Sequence, residues 1–434
     1  MNKLITYILA FILIFSLTAN KAEAKNVPPK ISADGVVLMD ATTGSILYSK
    51  NQDSKYPPAS TTKIMTALLA LENCKLDDIV KIGKKPPFVE GSRIGILEGE
   101  KLSVKDLLYG LLLQSGNDCA QALAEHISGS IDTFSELMNK RALELGCQNT
   151  NFVNPHGLYD AAHRTSAMDL ALILKELSKH KEFKEIATTT MYYIEPTNKS
   201  KEKRPIWNKN RLIQPNSEYY YEGCEGGKTG YTVQSKHSYV SVASKNGQRL
   251  IAVLLHDSER TYWSDVRKLF DYGFDNFSLE TFYLEGDHLT EYTINDNIKI
   301  PLLASENFYY VKNSSSNEVP TLKINNKDLS EKSFKRGDNI LTASILYKDK
   351  RIGTLNLASG IDYSSKKPLF NFSEKFNFNM IKSFLLKILK FTSILLILAI
   401  IMLRIRKKIR DKKRRKRKEK IREKIYMSKY KNFK

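Results

Sequence analysis

Cysteine is scarce in this chain, with four residues among 434, and none of the four belongs to a Cys-x-x-Cys pair or to a paired metal-binding spacing. This scarcity excludes a dithiol redox motif and argues against a zinc site. Export of the chain would permit a disulfide without requiring one. We therefore expect free, buried thiols at Cys74, Cys119, Cys147 and Cys224. The sequence also lacks an internal repeat.

Net charge is nearly absent from the main body of the chain, although the formal charge of the whole is +21. From Arg404 to the C-terminus, 18 Lys and Arg residues stand against 3 Asp and Glu residues. Residues 25–380, in contrast, carry a net charge of only +2. The basicity therefore belongs to a C-terminal tail and not to the body.

Residues 1–24 have the pattern of a secretory signal peptide. Lys3 precedes an apolar run from Leu4 to Leu17, and the small residues of Ala22-Glu23-Ala24 suit cleavage before Lys25. An uncleaved anchor helix is the alternative interpretation.

A second apolar segment, Phe384 to Leu403, lies near the C-terminus and is 20 residues long. That length suits a single bilayer crossing, and Lys387 and Lys390 lie in its first half, where their side chains can reach the interface. The positive-inside rule predicts that the basic segment after it is cytoplasmic. Because the uninterrupted apolar run, Phe391 to Leu403, has only 13 residues, a helix lying in the membrane interface is the alternative.

The basic tail, residues 404–434, is expected to contact anionic lipid headgroups. A nucleic-acid-binding arm is the competing interpretation of such a charge run. The export signal and the adjacent apolar segment favour lipid. Nucleic acid is therefore not an expected partner of this chain.

The exported body begins with β-rich sequence, continues with helical sequence and returns to β-rich sequence. Apolar runs around Ala41–Gly44 predict a first hairpin, and residues 60–185 show helical periodicity. Asn246-Gly247 predicts a second hairpin, and residues 264–277 predict a closing helix. One antiparallel sheet with helices packed on it would bury both sets of apolar faces, so we expect an α+β fold.

The character of the sequence changes after residue 278, where short β-rich runs alternate with polar turns. This pattern predicts a small all-β domain. The predicted organisation is therefore a signal peptide, an α+β catalytic domain, a small all-β domain, a linker, a membrane anchor helix and a basic cytoplasmic tail, at residues 1–24, 25–278, 279–364, 365–380, 381–403 and 404–434.

The segment PPASTTKIMTALLALE, residues 57–72, places a hydroxyl and an amine three residues apart at the start of a predicted helix. Ser60 lies where unpaired N–H groups and the helix dipole favour negative charge, and Lys63 lies on the same face. The apolar continuation disfavours the charged lysine, and a neutral amine can take the proton of the serine. Because Ser-x-x-Lys occurs four times elsewhere in the chain, a serine N-cap with a solvent-reaching lysine is the alternative.

Two later triplets give this pair a context. Ser115-Gly116-Asn117 follows a helical run and is expected to form a polar turn that opens the next helix. Lys228-Thr229-Gly230 comes just before the second predicted hairpin, where glycine allows the close approach of a ligand or another backbone. Each triplet alone is a common capping loop or turn. Together, Ser-x-x-Lys, Ser-x-Asn and Lys-Thr-Gly in this order form the motif set of penicillin-binding proteins and β-lactamases.

On these motifs, residues 28–278 resemble the low-molecular-mass penicillin-binding proteins of the D-alanyl-D-alanine carboxypeptidase family. The stretch from Asn151 to Ile173 also resembles that family, and an all-β domain before a C-terminal anchor is similar to its layout. The resemblance implies an antiparallel sheet with flanking helices and a helical subdomain. It also implies a peptidoglycan stem peptide ending in D-Ala-D-Ala as substrate, β-lactams as covalent ligands, and no metal or organic cofactor.

The resemblance implies catalytic roles for four residues. Ser60 would attack the carbonyl of the terminal peptide bond, form an acyl-enzyme and release D-alanine. Lys63 would be the general base for acylation, although the identity of the base in these enzymes is debated. Ser115 and Asn117 would complete the proton network and hold the peptide.

The third motif implies the substrate-binding residues Lys228, Thr229, Gly230 and Tyr231. Lys228 and Thr229 would orient the terminal carboxylate of the substrate. The backbone N–H groups of Ser60 and Tyr231 would form the oxyanion hole.

Two further candidates match the family less well. Family members often have an arginine between the last strand and the closing helix, where it helps to bind the terminal carboxylate. Arg260 lies in that stretch, but counting back from the Tyr-Gly-Phe of the closing helix places Tyr262 at the family's position. His156 matches a family histidine near the site, and a purely structural role is the alternative.

Other functions share these motifs. A transpeptidase or endopeptidase differs only in the acceptor or in the bond that is cleaved. A β-lactamase is disfavoured by the anchor and because no Glu-x-x-Leu-Asn pattern follows the second motif. A non-catalytic scaffold that binds the cell wall is expected to have lost a motif, and all three are intact here.

Overall fold

The computed structural model describes residues 27–294, 298–365 and 378–430. The predicted signal peptide lies outside these residues, as do most of the predicted linker and the last four residues of the tail. The described chain divides into two compact units. One contains the residues up to Leu329 together with Phe334–Tyr363, and the other contains Ser330–Ser333 and the residues from Ser364 onwards.

The secondary structure begins with strands, continues with helices and returns to strands. The strands are β1 (Gly35–Asp40), β2 (Ile46–Lys50), β3 (Ile79–Lys81), β4 (Lys101–Ser103), β5 (Met191–Ile194), β6 (Arg204–Trp207), β7 (Cys224–Thr232), β8 (Lys236–Lys245), β9 (Gln248–Asp257), β10 (Phe277–Tyr283), β11 (His288–Ile294), β12 (Ile298–Ala304), β13 (Phe308–Asn313), β14 (Thr321–Asn325), β15 (Asn339–Tyr347) and β16 (Lys350–Ser359). The helices are α1 (Lys63–Asn73), α2 (Val104–Leu113), α3 (Asn117–Ser128), α4 (Ile131–Glu144), α5 (Ala167–Leu177), α6 (Lys181–Thr188), α7 (Tyr262–Asn276) and α8 (Phe378–Tyr430).

A five-stranded antiparallel sheet with the strand order β2-β1-β9-β8-β7 organises the catalytic region, residues 27–276. The first hairpin pairs with β9, so strands from both ends of this region share one sheet. Asn246 and Gly247 form the turn between β8 and β9, both with positive φ, which these two residues adopt most readily. The sheet predicted from the sequence is therefore present.

Both faces of this sheet are buried, each against its own hydrophobic core. On β1, Val37 and Met39 belong to the core shared with helices α1 to α6, whereas Val36 and Leu38 belong to the core shared with α7. Successive side chains of a strand point to opposite faces, which is why one apolar run serves two cores. Helix α7 covers one face of the sheet as the predicted closing helix.

The residues after α7 form the predicted all-β domain. Strands β11, β12, β16, β15 and β14 make a five-stranded sheet in that order, and β10 pairs with β13. Its core consists of aliphatic and aromatic side chains, with Ile300, Leu355 and Leu357 fully buried. The α+β fold with a following all-β domain is therefore confirmed.

The second unit contains α8, which continues for 53 residues through both the apolar segment and most of the basic tail. Among the described residues it is the helix that is long and apolar enough to cross a membrane. No break in the helix separates the predicted anchor from the predicted tail.

All four cysteines are free thiols. Cys119 and Cys147 are buried, whereas Cys74 and Cys224 are partly buried.

Candidate active site

Ser60 lies in a single 3₁₀ turn, Ala59–Thr62, and α1 begins only at Lys63. The sequence predicted a helix start here, and the tighter turn has a local cause. The hydroxyl of Thr62 donates to the carbonyl oxygen of Ala59 at 2.8 Å, three residues back, and Ala59 has a left-handed φ of 51°. Such side-chain hydrogen bonds to nearby carbonyls favour turns over regular helix.

A glycine elsewhere in the chain makes room for this turn. A Cβ atom on Gly157 would come within 1.8 Å of the carbonyl oxygen of Ala59. The positive φ of Gly157, 86°, also requires glycine. The Asn-Pro-His-Gly-Leu segment therefore packs directly against the backbone that presents Ser60.

Lys63 is fully buried and has three hydrogen-bond partners around its amine. Its Nζ lies 2.9 Å from Ser60 Oγ, 2.6 Å from Asn117 Oδ1 and 2.6 Å from the carbonyl oxygen of His156. The two carbonyl oxygens can only accept, so each takes an N–H of the amine. The remaining position faces the serine hydroxyl, which can donate its proton to the lone pair of a neutral amine.

The electrostatics favour the neutral form of Lys63. Burial lowers the pKa of Lys63 well below its usual value, and the charge of Lys228 lowers it further. Cys119 and Asp118 act in the opposite direction with smaller effects. The loss of hydration of the ammonium is therefore the dominant cause.

The second motif forms the turn between α2 and α3. Ser115 has a left-handed φ of 64°, a strained conformation for a residue other than glycine that is common at functional sites. Asn117 is held on both sides of its amide, because its Nδ2 donates to the carbonyl oxygen of Glu90 at 2.6 Å while its Oδ1 accepts from Lys63. Its backbone N–H also donates to the carbonyl oxygen of Ser92 at 2.7 Å.

The third motif lies on strand β7 itself, whereas the sequence placed it before the strands. Gly230 packs so closely on the Ser60 turn that a Cβ atom there would lie 2.9 Å from the backbone nitrogen of Ser60. Burial lowers the pKa of Lys228 to about 7, with a contribution from the charge of Lys209. The Nζ of Lys228 donates to the carbonyl oxygen of Thr229 at 2.7 Å.

The three motifs meet at one cavity of about 590 Å³. Lys209 and Arg260 contribute positive charge, and none of the described residues that line it is acidic. The lining residues are Ser60, Ser92, Ser115, Lys209, Thr229, Gly230, Tyr231, His237, Arg260 and Tyr262. Arg260 and Tyr262, between which the sequence left the choice open, therefore both lie in the wall.

His156 contributes its backbone to the site. Its carbonyl oxygen accepts from Lys63, and its ring is buried, with Nδ1 accepting from the backbone N–H of Leu158 at 3.3 Å. Burial lowers the pKa of His156 to about 3, with a contribution from Lys63. A buried neutral ring that bonds its own loop fits the structural alternative for this histidine.

His163, which no sequence motif indicated, links the same loop to the Ser60 turn. Its Nδ1 accepts from the backbone N–H of Val153 at 3.0 Å, so its Nε2 carries the proton and donates to Thr62 Oγ1 at 2.9 Å. Burial lowers the pKa of His163 to about 4. Its position within the stretch from Asn151 to Ile173 was the available signal.

No sequence motif indicated Asp118 either. This fully buried carboxylate accepts from the backbone N–H groups of Ile94 and Gly95 at 2.9 Å each. It thereby fixes the loop that carries Ser92 into the cavity wall. An acidic residue directly after the second motif was the signal in the sequence.

Comparison with known proteins places this geometry in a family. A family model described as D-alanyl-D-alanine carboxypeptidase matches residues 21–259. The chain belongs to the D-alanyl-D-alanine carboxypeptidase family. A second model, the C-terminal domain of penicillin-binding protein 5, matches residues 277–364, which contain the all-β domain.

Relatives and solved structures agree with this membership. The chain is 33% identical over 347 residues to the D-alanyl-D-alanine carboxypeptidase DacF of Bacillus subtilis, covering 78% of this chain and 84% of that one. It is 35% identical over 294 residues to DacC of Escherichia coli, covering 63% and 68%. The crystal structure of penicillin-binding protein 5 from Haemophilus influenzae matches with a TM-score of 0.66 at 30% identity, covering 77% of this chain and 98% of that one.

A transpeptidase is also among the structural neighbours. The DD-transpeptidase of Streptomyces K15 matches with a TM-score of 0.53 at 32% identity, covering 57% of this chain and 99% of that one. The common fold therefore serves both hydrolysis and transfer.

Proposed function

We propose that this protein is a serine-type D-alanyl-D-alanine carboxypeptidase that removes the terminal D-alanine from peptidoglycan stem peptides through an acyl-enzyme on Ser60. The observation that carries the proposal is the buried amine of Lys63, 2.9 Å from Ser60 Oγ and 2.6 Å from Asn117 Oδ1, at the wall of a cationic cavity. Penicillin would acylate the same oxygen.

Acylation begins at the Ser60 hydroxyl. Its Oγ attacks the carbonyl carbon of the terminal peptide bond while its proton passes to the lone pair of neutral Lys63. Such proton transfer by a positioned base typically contributes about 10² to 10⁴ in rate. Collapse of the tetrahedral intermediate breaks the C–N bond, and the leaving amine of D-alanine takes the proton back through Lys63 and Ser115.

The residues of the third motif and the Ser60 turn would bind the substrate. The backbone N–H groups of Ser60 and Tyr231 would hold the developing oxyanion, and Gly230 permits the close approach of strand and turn on which that pairing depends. Lys228 and Thr229 would orient the terminal carboxylate, with the charges of Lys209 and Arg260 nearby. Asn117 would hold the peptide through its amide, and water then hydrolyses the ester.

D-Alanine release is the test of this function. The full-length protein in detergent is incubated with an acetylated pentapeptide ending in D-Ala-D-Ala, and free D-alanine is measured with and without an added amino acceptor. Release without acceptor supports a carboxypeptidase. A transferred product without hydrolysis would indicate a transpeptidase, and no reaction with either would indicate an endopeptidase or a scaffold.

The membrane arrangement is the second part of the proposal. Helix α8 would anchor the protein, with the catalytic region outside the cell and the basic residues from Arg404 onwards in the cytoplasm, against anionic lipid headgroups. The long apolar run followed by dense positive charge supports this orientation. Protease added to cells stripped of their wall should remove the catalytic region and spare a C-terminal epitope tag. Loss of the tag would contradict the proposed orientation.

A further inference from the structure

Arg260 occupies the cavity wall in an unfavourable backbone conformation. Its φ is 58°, in the left-handed region that residues other than glycine and asparagine rarely adopt. It is a wall residue together with Ser60, Thr229 and Lys209. Such a conformation persists only where surrounding interactions hold it.

One carboxylate holds the backbone on both sides of Arg260. Asp257, at the end of β9, is fully buried. Its Oδ1 accepts from the backbone N–H of Glu259 at 2.9 Å, and its Oδ2 accepts from the backbone N–H of Thr261 at 2.8 Å. The two residues that flank Arg260 are thus tied to one side chain.

A hydroxyl network anchors this carboxylate in turn. Ser32 Oγ lies 2.9 Å from Asp257 Oδ1 and 2.6 Å from Thr261 Oγ1. Thr261 Oγ1 donates to Asp265 Oδ2 at 2.9 Å, and Lys268 neutralises Asp265 at 2.8 Å. The turn that carries Arg260 is therefore linked to both β9 and α7.

Tyr262 carries no positive charge with which to bind a carboxylate. It stands at the position where the family often has its arginine, and its side chain is 8% exposed. Its ring stacks on His237 at a centroid distance of 5.5 Å and packs on Trp263 at 4.8 Å. Because an aromatic stack occupies that position, the positive charge in this part of the cavity wall comes from the turn before α7.

We propose that Asp257 is a positioning residue that presents Arg260 to the terminal carboxylate of the substrate and so sets the preference for a free carboxylate. The inference rests on the proposed function, because the carboxylate belongs to the D-Ala-D-Ala peptide. Asp257 itself does not touch the substrate. It acts by fixing the left-handed backbone conformation of Arg260, which would be lost if the loop were mobile.

The test compares two peptides in Asp257→Asn, a change of nearly equal volume that replaces one accepting oxygen with a donor. One peptide ends in D-Ala-D-Ala with a free carboxylate, and the other is its C-terminal carboxamide. The KM for the carboxylate peptide should rise about 10-fold, the scale of a lost charge-assisted hydrogen bond. The kcat should change little, and both constants for the carboxamide should stay near wild type.

A double-mutant cycle separates positioning from general damage. Asp257→Asn in an Arg260→Ala background should add no further rise in KM, because the group that it positions is gone. Asp271→Asn, the same change on the outer part of α7, is the matched control and should leave KM unchanged. An equal rise in KM for both peptides, or additive effects of the two substitutions in the cycle, would overturn the proposal.

Two further measurements keep the result unambiguous. If Asp257→Asn does not fold, Ser32→Ala is used instead, because it loosens the same network. It should raise the KM for the carboxylate peptide by a smaller factor, and an unchanged KM would overturn the proposal. Kd values of the two peptides in Ser60→Ala report the preference without turnover. Equal Kd values would refute carboxylate recognition, whereas a carboxylate preference with no turnover by wild type would refute only the proposed function.

Discussion

The catalytic region and the all-β domain differ most in what they bury. The catalytic region buries two lysines, Lys63 and Lys228, and two histidines, His156 and His163. Among its described residues, the all-β domain buries no charged side chain and no histidine. Both have well-packed apolar cores, so the difference does not come from the quality of packing.

The difference shows that the free-energy cost of burying lysine and histidine side chains is confined to the catalytic region. Loss of hydration is the main cause that lowers the pKa of these two lysines and two histidines. Lys63 lies 2.9 Å from Ser60 Oγ, His156 accepts from Lys63 through its carbonyl oxygen, and His163 contacts the Ser60 turn through Thr62. Perturbed ionisable groups gathered at a cavity are a signature of chemistry. The described residues of the all-β domain include no such cluster of buried lysines and histidines, so changes there should affect stability and leave catalysis intact.

The largest effect on catalysis is expected from Lys63→Ala. Loss of the base should slow acylation by penicillin about 10² to 10⁴-fold at pH 7, while the protein remains folded. Stopped-flow acylation rates and a thermal melt measure the two effects. Acylation at the wild-type rate would remove Lys63 from the mechanism.

Gly230→Ala should have the next largest effect. The new Cβ atom would lie 2.9 Å from the Ser60 nitrogen and from the carbonyl oxygen of Pro58, so β7 must move away from the turn. A displacement of this kind should lower kcat about 10²-fold. Gly286→Ala is the control for glycine loss in the all-β domain: its Cβ atom would meet open space but its φ of 88° is strained for alanine, so it should lower stability and leave kcat unchanged. An unchanged kcat in Gly230→Ala would mean that the close approach is not needed.

Acid should loosen the catalytic region before the all-β domain. The pKa of His163 is lowered to about 4 in the folded state, so between pH 6.5 and 4 the unfolded chain binds more protons and stability falls as the pH falls. The loss should reach about 3 kcal/mol for this one histidine. Hydrogen exchange at pH 7 and pH 5, corrected for the intrinsic exchange rate at each pH, should show a loss of protection at pH 5 in catalytic peptides only, and an equal loss of protection in both regions would contradict the comparison.

Leu355→Ala should have the smallest effect on catalysis. This fully buried leucine of β16 belongs to the core of the all-β domain, and its truncation should cost about 2 to 5 kcal/mol of stability there. The acylation rate should stay at the wild-type value. A parallel loss of acylation would show that the two regions are coupled.

Local sequence patterns predicted much of the fold. The Asn246-Gly247 turn and the closing helix needed only short-range signals, and the helix begins at Tyr262, two residues before the predicted start. Strand β7 was not predicted, because CEGGKTGYT contains three glycines, which are depleted in strands, and no alternating apolar pattern. Its pairing with β8 and its packing on the Ser60 turn decide its structure.

The motif residues were found from sequence, and their supports were not. Ser60, Lys63, Asn117 and Lys228 occur in a recognisable order; Lys63 links Ser60 to Asn117 by hydrogen bonds, and Lys228 lies beside Thr229 of the cavity wall. Asp257 showed no pattern, because its role depends on a left-handed turn and on contact with Ser32, 225 residues away. Such interactions arise only from tertiary structure.

The central claim is that Ser60 forms the covalent intermediate. Its most direct test is the intact mass of the full-length protein after incubation with a penicillin, compared with Ser60→Ala under the same conditions. The account predicts one added penicillin per wild-type chain and none on the variant. A wild-type protein without an adduct, or a variant that still gains one, would contradict it.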